Sequence, residues 1–321
     1  MRLSNDTAEL VPRTSFDGPV LRFDFPGLEI GVAEYDEGPT GCTVFYFPAG
    51  ADCSVDVRGG SPGVSGTGHE ELDAICFAGG SLYGLEAAAG VAAEHFARHD
   101  YRVGWLEIPI VMGAIIYDWG PRESSVYPDK ELGRAALRAA RPGVFPIGAR
   151  GAGRSATAGK LFAYDEREPA GQGAAFRSVG ETRVAVFTVV NAIGAIVDRD
   201  GNVVRGHYDA ERGARRALVA GVEERLAGGR PVRTPPGNTT LTAVVTNLRL
   251  DARQLQTFGR QVHTSMARAI QPFHALEDGD VLFAVSTGAV ETDPLLDTTA
   301  LGVVASELAW DAVLSVTAGS V

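Results

Sequence analysis

A layered α/β or α+β sandwich is the fold class that this chain predicts, and three observations carry the expectation. Short β-rich runs recur between Gly, Pro or Asn residues, and the chain holds 40 glycines to punctuate them. Stretches with helical spacing lie between those runs. The length of 321 residues, with 45% apolar and 21% charged side chains, is that of a soluble globular protein. A chain of this size removes roughly 75% of its unfolded surface from water.

Taken in order, Gly41 to Phe47 reads as a strand, and Leu82 to His99, rich in alanine with one polar edge, as a helix. Asp129 to Arg141 reads as a second helix, stopped by Arg141-Pro142-Gly143. Thr182 to Val190 and Thr239 to Asn247 are further strands. Between them, the Pro/Gly-rich stretch Ala227 to Gly237 can be neither helix nor central strand and reads as an exposed linker. A period of two puts Thr239, Leu241, Ala243 and Val245 on one strand face, so Thr239 stands where loop becomes strand. Asp251 caps a helix with Gln254 at the capping-box position, and Leu255, Phe258, Val262 and Met266 recur on its apolar face. Thr298 or Thr299 opens a last helix carrying Leu301, Val304, Leu308 and Trp310. No internal repeat is present.

Charge and cysteine usage exclude several functions. A net charge of -11, with no run of Lys or Arg long enough to track a phosphate backbone, argues against nucleic acid as a partner. Cys42, Cys53 and Cys76 are odd in number and form no C-x-x-C pair, which suggests neither a disulfide framework nor a thiolate zinc site. The amino terminus turns polar at once, and the longest mostly apolar run, Ala185 to Val197, is shorter than the ~20 residues that span a bilayer. The expectation is a cytoplasmic protein without a membrane partner.

Several familiar motifs fail. Gly153 to Lys160 has one residue too many between its glycines for a P-loop, and Leu161 stands where a Ser or Thr would hold magnesium. Gly151-Ala152-Gly153-Arg154-Ser155-Ala156 fits the loose dinucleotide pattern but lacks a strand before it and a long helix after it. No G-x-S-x-G elbow and no metal-binding histidine spacing occur, and Asn238-Thr239-Thr240 fits a glycosylation sequon in a chain with no secretion signal.

Asn238-Thr239 offers different chemistry. A threonine hydroxyl becomes a nucleophile when a base lies beside it, and its own α-amine serves once the preceding peptide bond is cut. That amine titrates near 7.7 to 8.0 and takes the hydroxyl proton without a histidine. Before the cut, the same hydroxyl can attack the Asn238 carbonyl, move the acyl group from nitrogen to oxygen, and free the amine when water hydrolyses the ester. Spacing alone also describes a strand that merely opens on two β-branched residues. Glu277-Asp278-Gly279-Asp280 precedes the apolar run Val281 to Val285. Extended backbone through Gly279 puts Asp278 and Asp280 on one face, although a plain acidic turn fits the same residues, and two carboxylates are too few for a metal.

The combination resembles a known family. Leu21 to Gly27, Glu37 to Gly41, Ala78 to Glu86, Val126 to Lys130, Gly237 to Thr240 and Gln271 to His274 together are similar to the nylon-oligomer hydrolases, 6-aminohexanoate-oligomer endohydrolases that belong with the L-aminopeptidase/D-esterase group of self-cleaving amidases. The likeness implies an α+β, αββα four-layer sandwich of the amino-terminal-nucleophile-hydrolase type. It implies one folding unit, cut between Asn238 and Thr239 into residues 1–238 and 239–321, that hydrolyses linear amides through an acyl-Thr239 ester. Asp280 would bond to the nucleophile and Asp278 would support Asp280, with Tyr117, Lys160 and Asn191 around them. Asn191 would donate an amide hydrogen bond to the oxyanion, Lys160 would favour the free amine of Thr239, and Tyr117 would donate its hydroxyl to the substrate carbonyl. Neither cofactor nor metal is implied, the partner is a small linear amide, and the assembly is a homotetramer of cleaved heterodimers. An aminopeptidase acting on short β- or D-amino-acid peptides shares this chemistry, and an uncleaved ligand-binding scaffold shares the fold. The paired threonines also resemble, more weakly, those of the ornithine acetyltransferases.

Overall fold

Alternation along the long strands decides how the molecule is layered. The frame consists of strands β1 (Glu29–Tyr35), β2 (Thr40–Val57), β3 (His69–Ala78), β4 (Val111–Ile115), β5 (Gly171–Val179), β6 (Thr182–Asn191), β7 (Thr239–Leu248) and β8 (Val281–Val290). Helices α1 (Glu86–Arg98), α2 (Lys130–Arg138), α3 (Leu218–Ala227), α4 (Ala252–Ser265) and α5 (Thr298–Ser315) complete it. The structure, a computed structural model, describes residues 2–66, 69–229, 231–232, 237–291 and 295–317. Arg230 and residues 233–236 of the expected linker thus lie outside the described residues.

One face of each strand feeds a central core. Phe45 of β2, Phe77 of β3, Phe187 of β6, Leu241, Ala243 and Val245 of β7 and Phe283 of β8 meet there. Phe45 lies 5.2 Å from both Phe77 and Phe187, and Phe77 lies 5.7 Å from Phe283, so two sheets stack face to face through rings. The opposite faces pack against helices. Val244 and Leu282 join Leu255, Phe258 and Val262 of α4 and Leu301 and Leu308 of α5, while Val44 and Cys76 join Val91 of α1 and Leu132 of α2. This is the αββα sandwich.

A single strand links the two sheets. On one edge residues 40–46 of β2 pair with β1 and residues 52–57 with β8, while the other edge pairs with β3 on both sides of a register shift between Tyr46 and Ala51. On the far side the order runs β5-β6-β7-β8, antiparallel except for the parallel pair β7 and β8.

The local expectations hold at several ends. Asp251 accepts from Gln254 N at 2.8 Å and Gln254 returns the bond to Asp251 N at 2.9 Å, a complete capping box. Asp297, one residue ahead of the expected Thr298, caps α5 by accepting from Ala300 N. α2 ends at Arg138, three residues before the expected stop, because Arg141 and Pro142 pair with Ile30 and Glu29 of β1. All three cysteines are free and buried. Among the described residues, no helix is long and apolar enough to cross a membrane.

Candidate active site

Three strand ends converge on one edge of the sandwich. β6 runs antiparallel to β7, so its last residue, Asn191, pairs with the first of β7, Thr239. β7 and β8 run parallel with Leu241 beside Val281, and the same register continues backwards to a bridge between Asn238 and Asp278. Asp278 and Asp280 therefore do lie on extended backbone beside the nucleophile candidate. Asn238, Thr239, Asn191, Lys160, Asp278 and Asp280 are all buried.

The chain is continuous here, and the Thr239 hydroxyl donates to Asn238 O. Gly279 N donates to the same carbonyl oxygen at 2.8 Å. Only glycine fits at 279, since a Cβ built there would lie 2.7 Å from Thr239 Oγ1. A backbone amide thus holds the carbonyl next to the hydroxyl, the arrangement that stabilises an oxyanion if that carbonyl is attacked.

Each carboxylate is held by backbone amides. Asp280 accepts from Thr240 N at 2.7 Å and from His274 N at 3.0 Å, and lies 3.2 Å from His274 Nδ1. Asp280 thus bonds to the amide of Thr240, while the Thr239 hydroxyl bonds to Asn238 O. Asp278 accepts from Ile193 N at 3.4 Å and Ala275 N at 3.3 Å. Burial, with the neighbouring Asp280 charge adding to it, pushes the Asp278 carboxyl up to about 7. Burial likewise brings the Lys160 ammonium down to about 7, against the raising effect of the Asp278 charge. An acid and a base that both titrate near neutral pH therefore face the same site.

Lys160 Nζ donates to Asn191 Oδ1 at 3.0 Å and to Asn191 O at 3.1 Å. With Thr157 N also donating to Oδ1, the orientation of the Asn191 amide is fixed: its Nδ2 points to Tyr117 O at 2.9 Å and to Gly237 O at 3.3 Å. In this arrangement the Asn191 amide holds the Gly237 carbonyl, while Gly279 N holds that of Asn238. Tyr117 is half-exposed, and its ring packs against Gly237. All the residues expected at the site are gathered there. Two contributors escaped the sequence reading: Gly279, whose role is carried by a backbone amide, and His274, whose φ of 61° turns both its backbone N and its ring toward Asp280. Among the described residues, no three His, Cys, Asp or Glu side chains gather as a metal site.

Comparison with known proteins gives the family and the fold. The profile of Peptidase family S58 matches residues 23–321. The chain belongs to that family. It is 51% identical over 319 residues to a 6-aminohexanoate-oligomer endohydrolase of an Agromyces species, covering 97% of this chain and 89% of that one. A β-aminopeptidase from a Burkholderia species superposes with a TM-score of 0.63 at 18% identity, covering 95% of this chain and 88% of the other. The L-aminopeptidase D-Ala-esterase/amidase of Ochrobactrum anthropi, described as a variant of the Ntn-hydrolase fold, superposes with a TM-score of 0.64 at 16% identity over the same shares. The S58 chain is accordingly a hydrolase with an Ntn-type sandwich.

Proposed function

We propose that this S58 hydrolase cuts itself between Asn238 and Thr239 and then hydrolyses linear amides such as 6-aminohexanoate oligomers, at internal bonds, through an acyl-Thr239 intermediate. The observation that carries the reading is the Thr239 hydroxyl set on the carbonyl of the preceding residue, with Gly279 N–H on the same oxygen. In the first step Thr239 Oγ1 attacks Asn238 C, and negative charge grows on the oxygen that Gly279 holds. Collapse breaks the C–N bond, the hydroxyl proton passes to the departing nitrogen, and an ester joins Asn238 to Oγ1. Water hydrolyses that ester, which leaves a carboxylate on Asn238 and a free amine on Thr239.

The freed amine then does the work of a base. It takes the Oγ1 proton as the hydroxyl attacks a substrate amide, and returns it to the leaving amine. Lys160 and Asp278 set the charge around that amine, and Asp280 orients the backbone at Thr240. Identity of 51% to an endohydrolase supports oligomeric linear amides as substrates. The test is the product pattern from a long 6-aminohexanoate oligomer early in the reaction. Products of intermediate length support internal cutting, whereas release of single units from one end would make the protein an aminopeptidase of the same chemistry.

A further inference from the structure

Thr239 Oγ1 receives an acyl carbon twice in the sequence of steps above, once from its own chain and once from substrate. In the continuous chain that carbon belongs to Asn238, so the residues before it lie where an acyl group must lie. Resting on the reading of Thr239 as the nucleophile, we propose that the groove holding Gly237 and Asn238 becomes the acyl-side subsite of the cut protein, and that the Tyr117 ring restricts it to chains unbranched at the place of Gly237 Cα.

The walls of this groove are already built. Gly279 N holds the Asn238 carbonyl, and the Asn238–Asp278 bridge holds the chain extended. Asn191 Nδ2 holds Gly237 O and is itself tied to Tyr117 O, so the donor keeps its place when the segment leaves. The two positions differ in the room they give. Asn238 buries a complete polar side chain, so the unit beside the scissile carbonyl tolerates a substituent. Gly237 does not: its φ is +89°, and a Cβ there would lie 2.6 Å from Tyr117 Cδ1 and 2.7 Å from Cγ. Tyr117 Cβ would itself lie 3.0 Å from that added carbon, so turning the ring about its own axis does not clear the clash. A methylene or a glycine α-carbon fits against its face, and a branch forces the ring aside. The substrate class that suits this groove is an extended amide of unbranched amino-acid units.

The experiment uses two linear amide oligomers that differ by one methyl group on the acyl side, placed four bonds from the scissile carbonyl carbon, where Gly237 Cα lies relative to Asn238 C. Wild-type protein is expected to cut the unbranched oligomer with kcat/KM about tenfold or more above the branched one. Tyr117→Phe keeps the ring and the preference, whereas Tyr117→Ala brings the two values within about twofold. Equal values in the wild type, or a preference that survives Tyr117→Ala, would overturn the subsite while leaving Thr239 as nucleophile. Failure of the wild-type protein to cut either oligomer would overturn the hydrolytic reading first, and the subsite with it.

Discussion

Two buried acidic groups in this molecule are handled in opposite ways. Asp118 receives Arg122 Nη2 at 2.8 Å, Thr40 Oγ1 at 2.7 Å and Gly80 N at 2.9 Å, and both members of the ion pair are 1% exposed. Its charge is matched at short range by a guanidinium that cannot give up its proton. Asp278 is just as buried, but it accepts from backbone amides at 3.3 and 3.4 Å, and the cation nearby is Lys160, itself brought down to about 7 by burial. The first group holds the fold. The second is pushed up to about 7 by its burial and by the Asp280 charge beside it.

The sharpest break of this comparison is at the proposed nucleophile. Thr239→Ala should abolish chain cutting and amide hydrolysis together, because both use one hydroxyl, while the fold melts as a single full-length chain. Gel analysis and an activity assay read this, and two chains in the variant would refute the assignment. Next in size is the contrast between the clusters. Asp118→Ala strands the Arg122 charge and should cost about 3–5 kcal/mol of stability by urea denaturation. Asp280→Asn should fold, yet slow processing about 100-fold or more, since the carboxylate sets the geometry beside the nucleophile. A normal processing rate would remove Asp280 from the chemistry.

The proton equilibria give a subtler test. The chain has two lysines, Lys130 and Lys160, so lysine-selective NMR reports Lys160 directly. Asp278 raises the Lys160 value, so Asp278→Asn should move that titration below about 7, and an unmoved titration would uncouple the pair. Stability follows with definite signs. Asp278 binds its proton more tightly when folded, so its contribution falls as pH rises from 3.8 to about 7. Lys160 binds its proton less tightly when folded, so its contribution rises from about 7 to 10.5, and the pair stabilises least near neutral pH. The smallest effect lies far from the site. Asp251→Ala removes the α4 capping box and should cost about 1 kcal/mol in thermal or urea unfolding without changing processing.

Local devices were legible from the sequence because local spacing encodes them. The alternation of Leu241, Ala243 and Val245 and the capping pair Asp251 and Gln254 need only their neighbours in the chain. The crossing of β2 between sheets was not legible, for Gly41 to Phe47 gives no sign that the strand runs on to Val57 and changes partners. Nor does spacing pair Asn191 with Thr239, or Asn238 with Asp278, since register across distant strands is fixed by packing. The roles of Lys160 and Tyr117 came through family likeness alone. Gly279 acts through a backbone amide, which no side-chain pattern announces, although a glycine between two aspartates is a visible hint of a close approach.

The most direct measurement is the intact mass of the purified protein under denaturing conditions, with amino-terminal sequencing of any fragment. The account predicts two species of roughly 25 and 9 kDa, in proportion to residues 1–238 and 239–321, the smaller beginning Thr-Thr-Leu-Thr. A single active species of 33.7 kDa would contradict it, because hydrolysis without a free Thr239 amine would need another base.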